Sequence, residues 1–85
     1  MMNAKKFPDG SIDGLHNTVL DSGQLGNRVR DKRRKDGLTQ QDLAAVAGVG
    51  VRFVSELENG KPTVQLNAVL AVLAALGLQL VVVEK

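Results

Sequence analysis

The stretch Thr39 to Gly60, TQQDLAAVAGVGVRFVSELENG, constrains this chain more than any other. Thr39 is a good helix N-cap, and Asp42 three residues on completes a capping box with Asp in place of the usual Glu. Leu43, Ala44, Val46 and Ala47 give the helix an apolar stripe, and Gly48 tolerates the positive φ that ends it. Val49 and Gly50 form a connection too short for anything but a sharp change of direction. A second helix then runs from about Val51 to Asn59, with Val54 and Leu57 facing inward.

Two helices crossing this closely need particular residue types at fixed separations. The first must offer a small residue at the crossing, here Ala44. The turn needs Gly48, and an apolar residue, Val49, must follow it into the core. The second helix must return an apolar face to the first, as Val54 and Leu57 do. Together these conditions describe a helix-turn-helix whose second helix enters the DNA major groove. An ordinary hairpin in an all-α domain is the alternative.

The flanking residues support this pair. Asp21 or Ser22 caps a first helix running to about Lys35, and Gly37 ends it. Its apolar line, Leu25 and Val29, continues at Arg33, which places a guanidinium on the inward face. Glu58, four residues from Val54, shares the inward face of the third helix. Two inward charges of opposite sign should pair, since either alone is costly to bury. After the turn at Gly60–Pro62, Thr63 is the expected cap of a fourth helix, Val64 to Leu76. From Ala68 to Leu76 that helix has no polar residue, so it must be covered all round. Three short helices are too few to do this. A dimer interface is therefore expected at Val69, Val72, Leu73 and Leu76, continuing through a strand at Leu78, Leu80, Val81, Val82 and Val83. A lone strand is a sticky edge, and pairing with its copy in a second chain resolves it.

The resulting fold is all-α, four helices with a short C-terminal β-strand that pairs across a homodimer. Residues 1–20 form an irregular arm with a short extended segment at 18–20, residues 21–77 the DNA-binding domain, and residues 78–85 the dimerisation strand. Eighty-five residues allow one domain. Without cysteine there is no disulfide, thiolate metal site or thiol nucleophile, and the single His16 cannot build a metal cluster or a triad. No catalytic constellation, phosphate loop, metal or cofactor site is expected, and hence no enzyme. Phe7 and Phe53 are the only aromatic residues, which argues against base stacking. No secretory signal follows Met1 to Phe7, and the apolar run Ala68 to Leu78, eleven residues, is too short to span a bilayer. Six of the eleven basic residues fall at Arg28, Arg30, Lys32, Arg33, Arg34 and Lys35. A nucleic-acid patch and a solvated basic face both fit that run.

The block from about Leu25 to Leu76, centred on LTQQDLAAVAGVGVRFVSELENGK, resembles the phage Cro/repressor-like (Xre) family of helix-turn-helix regulators. The helix end Ala75–Gly77, the segment Leu78 to Val83 and the short length are similar to HipB-type antitoxins. Those are small homodimers that repress their own operon and bind HipA-type kinase toxins. The resemblance implies that Gln40 and Asn59 contact backbone phosphates. It also implies that Val51, Arg52 and Ser55 read base edges, with Glu56 marginal, and that Arg33 pairs with Glu58. One departure is Gly50, where the family usually has a Ser or Thr cap.

The chemistry suits these roles. Arg52 can pair with guanine O6 and N7, although a phosphate contact fits it too. Val51 suits a thymine methyl or partial packing, and Ser55 suits base or phosphate. Glu56 suits cytosine N4 or a plain surface charge. Capping or solvent exposure competes with the phosphate role at Gln40 and Asn59. Arg28, Arg30, Arg34 and Lys61 join the phosphate set, with a solvated face as the alternative.

The expected function is sequence-specific repression of an inverted-repeat operator by a cytoplasmic homodimer, nucleoid-associated when bound. As implied by the resemblance, it would be the antitoxin of a HipBA-type operon that neutralises a HipA-like Ser/Thr kinase. With Lys85 last, no long tail is expected to plug the kinase, so a body surface would serve. A stand-alone regulator and an interaction module that has lost DNA binding are the alternatives.

Overall fold

The computed structural model describes residues 18–84. The expected arm falls mostly on residues 1–17, outside the described residues. Four helices follow: α1 Ser22–Lys35, α2 Gln40–Ala47, α3 Val51–Glu58 and α4 Leu66–Ala75. Among the described residues no strand forms, at 18–20 or at 78–84. A ladder needs two strands, and among the described residues neither segment has one beside it.

The helix starts are set by side chains. The Asp21 carboxylate accepts from the Gln24 N–H at 2.8 Å to open α1. The Thr39 hydroxyl accepts from the Asp42 N–H at 3.0 Å, and Asp42 accepts from the Thr39 N–H at 2.9 Å, completing the box on α2. Gly50 opens α3 with no side-chain cap, as glycine must. The fourth helix departs from expectation. It begins after Gln65 rather than Thr63, because Val64 packs against the core from outside the helix.

All four helices end on one device. Gly37, Gly48, Gly60 and Gly77 have φ between 71° and 82°. The residue after each glycine donates its N–H back five residues: Leu38 to Arg33, Val49 to Ala44, Lys61 to Glu56 and Leu78 to Leu73. This closes the free carbonyls of the last turn. Leu38, Val49 and Leu78 then pack against the core.

α3 sits between α1 and α2, and α4 closes over α2. The core is Val29 of α1, Leu43 and Ala44 of α2, Val54 and Leu57 of α3, Val69, Val72 and Leu73 of α4, and Leu76 at its C-cap. The α1–α3 approach is tightest at Gly26. A Cβ there would lie 2.3 Å from the Leu57 carbonyl oxygen and 2.8 Å from that of Glu58.

α4 revises the expected interface. Val69, Val72, Leu73 and Leu76 are at most 4% exposed within one chain, so they belong to its own core. Their spacing of three and four is the one inward stripe an all-apolar helix can hide by itself. Leu78 is likewise half-buried by its capping role. From α4 onward, the large apolar side chains left exposed are Leu66 and Leu70 on the helix, and Leu80, Val81, Val82 and Val83 beyond it.

Candidate nucleic-acid interface

Glu58 organises the site. It is 2% exposed, at the end of α3. Arg33 of α1 donates to it through Nε at 2.6 Å and Nη2 at 3.0 Å, and its Nη1 donates to the Leu38 carbonyl at 2.8 Å. Gln40, the first residue of α2, donates Nε2 to the same carboxylate at 3.1 Å. Arg30 lies 3.5 Å from it and donates to the Glu58 carbonyl at 3.0 Å. Burial pushes the Glu58 carboxyl up, but the bonds from Arg33 and Gln40, the charge of Arg33 and the contact with Arg30 outweigh it and hold the group below its usual range. The bond to Glu58 raises Arg33 above its ordinary value, against the opposing effect of burial.

This network changes how three residues of the phosphate set are read. The Gln40 side chain turns back to Glu58, so what its position offers outward is main chain. The Gln40 and Gln41 N–H groups lie in the first turn of α2, where helix geometry provides no acceptor. That suits a phosphate. Arg30 caps the negative end of α3 and also donates to Asn59 Oδ1 at 3.2 Å. With its oxygen engaged, Asn59 keeps its amide donors for the outside, the polarity a phosphate requires.

The basic run of α1 divides. Arg30 and Arg33 face α3. Arg28 lines an open depression with Asp31, Lys32, Lys35 and Leu78, the last from the chain after α4. Arg34 is exposed, and Lys32 is paired with Asp36 at 2.7 Å.

On α3, Val51 and Arg52 are exposed and Ser55 is half-buried. Arg52 is the most prominent, its side chain 90% exposed. Glu56 lies 3.3 Å from Arg52 Nε and 3.4 Å from Lys61 Nζ. Across the hairpin, bonds from the Thr39 N–H and hydroxyl keep the Asp42 carboxyl below its usual range. It therefore stays ionised as part of the cap at physiological pH. Among the described residues, no group of three or more His, Cys, Asp or Glu is placed to hold a metal ion. Nor is any helix there long and apolar enough to cross a membrane.

Gly26 escaped the sequence reading. Its signal was present: a glycine inside a helix, next to Leu25 and three residues before Val29, is unfavourable unless something approaches closely.

Comparison with known proteins places this geometry. A sequence model of the helix-turn-helix domain matches residues 24–85. The HTH-type transcriptional regulator y4mF of Sinorhizobium fredii is 53% identical over 53 residues, 62% of this chain and 70% of that protein. The ImmF control region 10 kDa protein of Bacillus phage phi105 is 32% identical over 62 residues, 71% of this chain and 69% of that protein. Among solved structures, the HipB–O4 20mer complex superposes with a TM-score of 0.73 at 25% identity, covering 79% of this chain and 94% of that one. The HipA–HipB–O2–O3 complex gives 0.74 at 25% identity, covering 80% and 96%.

Proposed function

Because the chain belongs to the Xre-type helix-turn-helix domain family, a non-enzymatic DNA-binding fold of transcriptional regulators, we propose that it is a sequence-specific repressor acting on double-stranded DNA as a homodimer. The observation that carries this reading is the α2–α3 surface. Arg52 projects from a helix start that has no side-chain cap, on the helix that packs against α2. Val51, Arg52 and Ser55 read bases, while the Gln40 main chain, Asn59, Arg34 and Lys61 hold phosphates.

The apolar side chains outside the monomer core support the dimer. Leu66 is 59% exposed, Leu70 39% and Val82 91%. A second copy covers them, α4 against α4, with residues 78–83 pairing as strands across the two chains. Two α3 helices then enter successive major grooves about 34 Å apart, matching an inverted repeat. The operator lies ahead of the protein's own reading frame, in a cytoplasmic setting. The HipB likeness extends the proposal to an antitoxin that holds a HipA-like Ser/Thr kinase inactive.

A gel shift with the DNA upstream of the protein's own gene, at two salt concentrations, tests the core reading. Affinity should fall steeply with salt. No shift, or a salt-independent one, rejects it. Affinity purification from the native host tests the antitoxin. Recovery of a kinase in stoichiometric amount supports it, and recovery of the dimer alone leaves a stand-alone regulator.

A further inference from the structure

We propose that Glu56 is a positioning residue: it orients Arg52 for end-on recognition of a guanine, and Lys61 holds it in place to do so. The inference rests on the regulator reading above.

A guanidinium can present two bidentate edges, one at its side through Nε and one at its end through the two terminal nitrogens. Arg52 pairs with Glu56 through Nε, at 3.3 Å. That contact fixes the plane of the group from its side and leaves the end edge for guanine O6 and N7. Arg52 itself is 90% exposed, so on that surface Glu56 is what restricts its rotamers.

Glu56 is held in turn. Its side chain is 31% exposed, and its second oxygen lies 3.4 Å from Lys61 Nζ. Lys61 is placed there by the end of the helix. Gly60 turns the chain at φ 82°, and the Lys61 N–H donates to the Glu56 carbonyl at 3.0 Å. One residue thus meets Glu56 through both main chain and side chain. With a cation on each oxygen, the carboxylate is a poor acceptor for cytosine N4, and its repulsion of nearby phosphates is offset. This assigns Glu56 a different task from direct base reading. An exposed pair four residues apart on a helix adds little to stability. Any change in base preference on its removal therefore arises at the interface.

Selection from a randomised duplex library with the full chain tests this. The wild type should prefer guanine at one half-site position by about tenfold or more. Arg52→Ala should abolish that preference. Glu56→Ala should cut it about threefold at the same position, leaving part of it, with affinity for random DNA unchanged or higher. Glu56→Gln, whose amide oxygen still accepts from Nε, should retain most of it. Adding Glu56→Ala to Arg52→Ala should change the preference no further. An unaltered guanine preference in Glu56→Ala overturns the positioning role. So does a loss at a different position, where cytosine had been preferred. A wild-type chain that enriches no sequence overturns the regulator reading, and this inference with it.

Discussion

Replacing Arg33 by Met removes the charge from the Glu58 network while keeping the aliphatic stem that fills its space. Glu58 is then 2% exposed with one neutral donor, Gln40, and one cation at its rim, Arg30. Breaking a buried pair from one side costs about 3–5 kcal/mol. A second route bounds the figure. The carboxyl can escape its unpaired charge by protonating, which at pH 7 costs about 1.36 kcal/mol for each of the roughly 2.7 pH units above the ordinary glutamate value, or about 3.7 kcal/mol. The two agree. For a chain this size, with total stability of about 4–13 kcal/mol, the loss is severe. At about 4–8 °C per kcal/mol the melting point should drop by at least about 12 °C. Circular dichroism during heating or urea titration measures it.

The pH dependence carries the sign. In the wild type Glu58 is held below its unfolded value. Its contribution is full above about pH 4.3 and is lost as pH falls through the folded value. In Arg33→Met burial prevails and the folded value lies above the unfolded one. That variant's penalty shrinks as pH falls toward 4, so the gap to wild type should narrow. The double variant Arg33→Met/Glu58→Met should recover most of the stability, because an apolar pair of similar volume removes both buried charges. A loss under about 1 kcal/mol in Arg33→Met, the range of exposed pairs, refutes the argument. A double variant no better than the single one also refutes it.

Three further outcomes are expected. Gly26→Ala would press a methyl against two α3 carbonyls that cannot yield without moving the helix, so urea unfolding should show a loss of about 1–3 kcal/mol. Gly50 has φ −75° and open space around a new Cβ, so Gly50→Ser should supply the missing cap and raise the melting point, by about 0.5–1 kcal/mol of stability. Leu70→Glu lies outside the monomer core, so it should shift sedimentation from dimer toward monomer while the helical signal persists.

The hairpin was legible because its determinants are local. The Thr39–Asp42 box and the turn at Gly48 are each written within four residues. The Arg33–Glu58 pair was legible for another reason: helix periodicity alone turns both charges inward, and burial makes each need the other. Periodicity failed on α4. In a helix with no polar face, spacing cannot say which stripe the chain hides for itself, and Val69, Val72, Leu73 and Leu76 prove to be the hidden one. Thr63 failed because cap preference is weak against the packing of Val64. Arg30, Gln40 and Asn59 read as separate phosphate contacts because the bonds that engage them, Arg30 with Glu58 and Asn59 and Gln40 with Glu58, cross between α1, α2 and the end of α3, separations that a linear pattern does not encode.

The carboxylate of Glu58 takes donors from two other helices at once, Arg33 of α1 and Gln40 of α2. The end of α3 and the start of α2 are thereby held to one point before any DNA arrives. A surface assembled in advance loses little conformational freedom on docking. The hairpin should therefore meet its operator as a rigid body, with adjustment confined to side chains. Besides the bases that Arg52 meets, how well the duplex itself conforms would then matter, so base pairs that the protein never touches should also bear on affinity.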